Sequence, residues 1–240
     1  KYVRKNYKVM ILTIVIPCFN ELLNLEKIID KINHEVKKNR IKFIIVNNGS
    51  EDETNMFLSK IPINKEFIKI HHIDKNIGYG NGILEGLKNT NTEFVGWTHA
   101  DNPKNIDDII LAHKLLKNNN KDIFIKGFRT INRPIIDIFF SYSFNILSSI
   151  ILKKFLWEIT AQPTIFNKEL FPSFKNAPID FSLDLYTLYT AKKNNLKITR
   201  IKTNYKEREK GKSKWNTGLK SKIKLSAIYI KYMLQLRKNH

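Results

Sequence analysis

The 240-residue chain is predicted to fold as an α/β domain with a mostly parallel central sheet flanked by helices. Three observations point there. Short apolar β-branched runs alternate with longer amphipathic stretches through the first half, an order that calls for crossover connections and parallel strands. The apolar runs lack inside–outside alternation, as expected of strands covered on both faces. Glycines and polar residues gather just after each run, where the ligand crevice of such a sheet lies.

The elements follow in order. Lys1–Lys8 is polar and basic, and the apolar run Val9–Ile16 is short and stops at Pro17. It therefore reads as the first strand, centred on Leu12–Ile16, rather than a signal peptide. Leu22–Val36 has helical spacing, and Phe43–Val46 is the second strand. Asp52–Lys60 is a helix for which Ser50 is a candidate N-cap, with Glu53 as its capping-box partner. Phe67–Ile73 and Phe94–Trp97 are the third and fourth strands, separated by a helix at Gly82–Leu87 and followed by one at Ile106–Leu116. Further on, Ile135–Leu152 holds a single charge, Asp137, and is followed by Lys153 and Lys154. A spanning helix needs about 20 apolar residues, and this run carries Ser, Asn and Tyr142 as well. It is expected to lie in a membrane interface or to pack on the domain. Ile198–Thr203 is a late strand. Leu219–Leu236 is a final helix in which Leu219, Ile223, Ile230 and Leu234 can share one face.

Composition narrows the class. A hydrophobic content of 42% with 11% aromatics excludes a disordered chain. The single cysteine, Cys18, excludes an intrachain disulfide and suits a reducing cytoplasm. A net charge of +20 favours polyanionic partners such as phosphorylated substrates, anionic lipid or nucleic acid, although a general bias toward Lys, Asn and Ile would produce the same excess.

Four loop clusters carry chemistry. Thr13–Glu21 runs a buried strand into a turn with a carboxylate opening the next helix. Glu21 there can cap the helix or accept ribose hydroxyls. Val46-Asn-Asn-Gly-Ser-Glu-Asp-Glu-Thr54 repeats the arrangement, and the amide of Asn48 offers a base edge both donor and acceptor. Asn76-Ile-Gly-Tyr-Gly-Asn-Gly82 suits close backbone approach to a ligand. His99-Ala-Asp101, with Asn102-Pro103, supplies a carboxylate and an imidazole. His99 can ligate a cation or act as a hydrogen-bonding wall.

In order and spacing these motifs resemble the inverting family-2 glycosyltransferases, and especially their polyprenol-phosphate sugar transferase (dolichol-phosphate mannose synthase-like) branch, from about Leu12 to Trp215. The resemblance implies a GT-A-type fold over residues 1–215, with 135–157 as an interfacial or acceptor-side helix and 216–240 as a basic amphipathic C-terminal helix. It implies a divalent cation, Mg or Mn, with Asp101 and His99 as ligands. It implies a UDP- or GDP-linked sugar donor, with Pro17, Phe19, Asn20, Glu21, Asn48, Ser50, Asn76, Gly78, Gly80 and Asn81 on the nucleotide side. Arg129, in Lys126-Gly-Phe-Arg129, would face the diphosphate or an acceptor phosphate. Arg208, Ser213 and Lys214, in Arg208-Glu-Lys-Gly-Lys-Ser-Lys-Trp215, would close over the diphosphate. Asp184, or alternatively Glu158, would be the base. The sequence departs from the family where Asn47 and Asn48 replace acidic residues and where His99 replaces the first Asp of Asp-x-Asp.

The implied activity is transfer of a sugar to a lipid-linked acceptor, a polyprenyl phosphate or an envelope glycan, by a cytoplasmic enzyme held peripherally on an anionic membrane surface. A nucleic-acid-binding module, a nucleotidyltransferase and an inactive relative are the alternatives. No nucleic acid is expected as partner, because no reader motif is visible. A nucleotidyltransferase would need an Arg- and Lys-bearing glycine loop where Pro17-Cys-Phe-Asn-Glu21 stands.

Overall fold

A computed structural model of the protein describes residues 10–116, 121–130, 133–203 and 218–238. The first half alternates as the sequence predicts: β1 (Leu12–Cys18), α1 (Leu22–Asn39), β2 (Lys42–Asn48), α2 (Thr54–Lys60), β3 (Ile68–Ile73), α3 (Tyr79–Lys88), β4 (Phe94–Trp97) and α4 (Asn105–Leu116). The second half holds β5 (Ile123–Arg129), α5 (Ile135–Leu152), β6 (Thr164–Asn167), a 3₁₀ segment (Lys168–Ser173), α6 (Leu183–Lys193), β7 (Lys197–Thr203) and α7 (Leu219–Lys238).

All seven strands form one sheet in the order β3-β2-β1-β4-β6-β5-β7. Every pairing is parallel except those of β6, which runs antiparallel to both β4 and β5. β1 lies inside the sheet and every residue of it is buried, which explains its unbroken apolar run. Leu12, Ile14 and Ile16 pack with α1 and α4 on one face, whereas Val15 packs with α3, α6 and α7 on the other. The result is three layers, with β1, β2 and β4 aiming their carboxyl ends at one crevice.

The start of α2 differs from the sequence reading. Ser50 does not cap α2, which begins at Thr54. The Asn20 side-chain oxygen accepts from Glu51 N at 2.8 Å and Asp52 N at 3.3 Å, holding the chain in a loop past Ser50. Ser50 Oγ instead accepts from Asn20 N at 3.0 Å.

Helix α5 is amphipathic in reverse. It buries Asn145 and Ser148 along with Leu152, while Ile135 (85% exposed), Phe139 (64%), Ile146 (56%) and Ile150 (68%) form an outward stripe. It is long and apolar enough to cross a membrane, alone in this among the described residues. α7 packs along it through the Phe144–Tyr229 ring contact, with centroids 4.4 Å apart, and through an ion pair between Lys222 and Asp137. On α7 the stripe read from the sequence also faces outward: Ile223, Ile230 and Leu234 are exposed, whereas Tyr229, Met233 and Leu236 join the core.

Candidate active site

The carboxyl ends of β1, β2 and β4 border a cavity of about 210 Å³. Pro17, Phe19 and Glu21 line it from the β1–α1 turn, Asn48 and Asn76 from the next two loops, and His99 and Asp101 from the loop after β4. Tyr79 and Phe181 complete the wall, stacked on each other with centroids 4.9 Å apart and planes 15° from parallel. Burial, reinforced by the charge of Asp184, drives the Tyr79 phenol well above its ordinary range, so its hydroxyl stays a donor. Glu21 occupies the N-cap position of α1 without a side-chain cap, and its Oε2 accepts from Asn24 Nδ2 at 3.0 Å.

Asn48 is buried, and its amide group donates to Gly78 O at 3.0 Å and to Asn76 Oδ1 at 3.4 Å. Among the described residues its Oδ1 has no partner. A buried acceptor without a donor costs about 1–3 kcal/mol, which a ligand N–H would recover. Cys18 also lines the cavity, but its thiol donates to Val46 O, and burial raises it far from the thiolate form.

A second cavity, of about 300 Å³, adjoins the first and shares His99 and Phe181 with it. Arg129, Thr160 and Asp184 form its inner side, and Phe140, Lys222 and Tyr229 come from α5 and α7. Asp184 Oδ1 accepts from Gln162 Nε2 at 2.7 Å, Trp97 Nε1 at 3.3 Å and Lys126 Nζ at 3.3 Å.

Several expected positions lie elsewhere. Asn20 and Ser50 are absent from the cavity lining because their side chains lock the first two loops together. Gly78 and Gly80 approach the chain itself rather than open space: a Cβ at Gly78 would stand 2.2 Å from Ile179 O, and one at Gly80 2.6 Å from Pro178 O. Asn81 joins the same contact through its backbone N–H, which donates to Ile179 O at 2.9 Å. The glycine loop is thus a packing device for residues 178–180. Glu158 lines neither cavity, which argues against its role as base. It is buried, with Arg129 Nε 2.7 Å from one oxygen and Arg133 Nη2 3.5 Å from the other. Arg129 is correspondingly engaged, with Nη2 also donating to Thr160 Oγ1 at 3.1 Å. Arg208, Ser213 and Lys214 lie outside the described residues.

Among the described residues no group of three or more His, Cys, Asp or Glu side chains is placed to enclose a metal. A partial site remains. Asp101 Oδ1 accepts from Asn105 Nδ2 at 3.2 Å, and His99 Nδ1 is 3.5 Å from Tyr79 Oη. One or two protein ligands suit a cation that takes its other ligands from phosphate and water.

Sequence reasoning missed Tyr79, Phe181, Lys126, Gln162 and Trp97. Tyr79 and Lys126 fall inside the motifs noted above; Phe181, Gln162 and Trp97 are placed by contacts remote in the chain.

Three comparisons bear on this geometry. The family model described as glycosyl transferase family 2 matches residues 13–185. A dolichyl-phosphate beta-glucosyltransferase of Trichomonas vaginalis is 24% identical over 92% of this chain and 74% of its own length. A poly-beta-1,6-N-acetyl-D-glucosamine synthase of Staphylococcus aureus is 29% identical over 38% of this chain, which covers only 21% of that protein. The crystal structure of glucosyl-3-phosphoglycerate synthase from Mycobacterium tuberculosis with Mn²⁺, UDP and glucosyl-3-phosphoglycerate superposes with a TM-score of 0.67. It is 18% identical, covering 95% of this chain and 80% of that one.

Proposed function

The chain belongs to glycosyl transferase family 2, and from that premise we propose that it carries a sugar from a nucleotide-diphosphate donor in the first cavity to a lipid-linked acceptor entering through the second. The observation that carries this reading is the sharing of His99 and Phe181 by the two adjoining cavities. Donor and acceptor then meet at one boundary, as an in-line displacement requires.

On the donor side, Asn48 Oδ1 is free to accept from a base N–H, and Tyr79 and Phe181 offer a flat apolar wall. Asp101, with His99, would hold a Mg or Mn ion, whose role when bound is to offset charge on the departing diphosphate. The acceptor oxygen forms a bond to the anomeric carbon as the bond from that carbon to the diphosphate oxygen breaks, inverting its configuration. Where the acceptor is a hydroxyl, Asp184 takes its proton. A phosphate acceptor is already ionised and needs none. Arg129 supplies a guanidinium toward the second cavity.

The lipid-linked acceptor and peripheral attachment to an anionic membrane are supported by the reversed amphipathicity of α5 and the exposed Ile223, Ile230 and Leu234 of α7. Polar residues inside and isoleucines outside suit an apolar surround. Lys153 and Lys154 at the end of α5, and the charge of +20, suit anionic headgroups.

Calorimetric titration of UDP and of GDP, each with Mn, Mg or EDTA, tests the donor site on wild type and Asp101→Ala. Metal-dependent binding of one nucleotide, lost in the variant, is expected. No binding under any condition would instead mark an inactive relative.

A further inference from the structure

A lysine with no role in the reading above lies directly beneath Asp184. Lys126 is fully buried in β5, with Nζ 2.6 Å from Thr164 Oγ1 and 3.3 Å from Asp184 Oδ1. Thr164 Oγ1 donates to Gln162 Oε1 at 3.0 Å, and Gln162 Nε2 donates to the same Asp184 oxygen at 2.7 Å. Lys126, Thr164, Gln162 and Asp184 therefore close a ring of hydrogen bonds whose directions agree: the ammonium gives two, and the threonine relays one. Trp97 Nε1 adds a third donor to Asp184 Oδ1 from β4. Burying an ammonium is costly unless it is paired. A ring drawn from β5, β6, α6 and the chain just before β6 is a considerable structure to place under one carboxylate that lines the acceptor-side cavity.

We propose that Lys126 is a positioning residue for transfer: its ring saturates Oδ1 of Asp184 and so fixes the carboxylate toward the acceptor. The inference rests on the reading of Asp184 as the group facing the acceptor. The charged groups around Lys126 are Asp184 from α6, Arg200 from β7 and Arg129 from its own strand, while Thr164 of β6 is neutral. Burial pushes the Lys126 ammonium down to about 8, against the opposing pull of Asp184. The ring thus changes charge just above neutrality, and the grip on Asp184 weakens as pH rises.

The test is hydrolysis of UDP-glucose or GDP-mannose, whichever nucleotide binds, with water as the acceptor that must surrender a proton. Release of UDP or GDP is followed from pH 6.5 to 9.5 on full-length wild type, Lys126→Met, Asp184→Asn and the double variant. Lys126→Met is expected to lower kcat at least tenfold at pH 7 with nucleotide affinity unchanged. It should also abolish the fall in kcat near pH 8 and cause no further loss in the Asp184→Asn background. Losses that multiply in the double variant, or an alkaline fall that persists without Lys126, would overturn the proposal. Wild-type kcat in Asp184→Asn would instead overturn the underlying reading. Should Lys126→Met fail to fold, Thr164→Val opens the ring more gently. A several-fold loss of kcat, absent in the Asp184→Asn background, supports the proposal, and an unaltered kcat overturns it.

Discussion

Replacing Gly80 with alanine separates two accounts of the glycine loop. An alanine Cβ there would stand 2.6 Å from Pro178 O, 2.7 Å from Asp180 O and 2.8 Å from the carbonyl carbon of Ile179. Comfortable contact begins near ~3.5 Å, so α3 must retreat from residues 178–180 by about 0.9 Å to clear the nearest of them. All three neighbours are backbone atoms, and no rotamer change relieves them. Overpacking of this kind costs about 1–3 kcal/mol, whereas exchanging glycine for alanine in a helix ordinarily gains roughly 0.5–1 kcal/mol. At mid-range, about 2 against about 0.75 kcal/mol, the clash prevails and leaves a net loss of about 1–2 kcal/mol. In a chain of this length each kcal/mol lowers Tm by about 2–4 °C, so thermal unfolding should drop by about 2–8 °C. Calorimetry or circular dichroism measures it. A Tm equal to or above wild type would refute the packing account and return the loop to a ligand-facing role. Gly82→Ala is the internal comparison: its Cβ meets the Asn48 side chain at 3.0 Å. Nucleotide binding should therefore suffer there more than stability.

Glu158→Ala should destabilise by about 3–5 kcal/mol in chemical denaturation, because it removes the carboxylate paired with Arg129 and the buried Arg133. A change confined to kcat would restore Glu158 as a base. Cys18 should resist iodoacetamide at pH 8 until the protein unfolds, since burial raises its thiol and Val46 O holds it; rapid labelling of the native protein would contradict this. Lys126 has a folded value of about 8 against an ordinary 10.5, so the unfolded chain binds the extra proton between those limits. Its contribution to stability therefore rises with pH across that window and is flat outside it. Denaturation of wild type and Lys126→Met at pH 7 and 10 should show the wild type gaining relative to the variant at the higher pH.

β1, β2 and β4 were legible because each is an apolar run buried almost throughout, a local property, whereas β3 lies at the sheet edge with Lys69 and His72 exposed. β6 was not: Thr164-Ile-Phe-Asn167 is four residues long, and only its partners Val95 and Ile125, far away in the chain, make it a strand. The Ser50–Glu53 capping pattern was present, but Asn20, thirty residues earlier, claimed the backbone donors first. On α7 the period was read correctly, yet a period does not say which stripe faces the core. Among site residues, Asp101 and Asn48 could be picked out by motif position, and both line the first cavity. The pairing of Glu158 with Arg129 and Arg133 could not, because nothing along the chain distinguishes a carboxylate awaiting a proton from one already held by two guanidinium groups.

β5 and β6 are adjacent and antiparallel, with Phe124 opposite Phe166. Everything between Arg129 and Thr164, including α5, is topologically the loop of a hairpin. It leaves the sheet and returns to the neighbouring strand, so its length and composition can change without disturbing any other strand's register. The α5 wall of the second cavity is thus an exchangeable part mounted on a fixed frame. A graft of α5 from a relative, with Glu158 and Gln162 retained, would keep the sheet and reshape the second cavity.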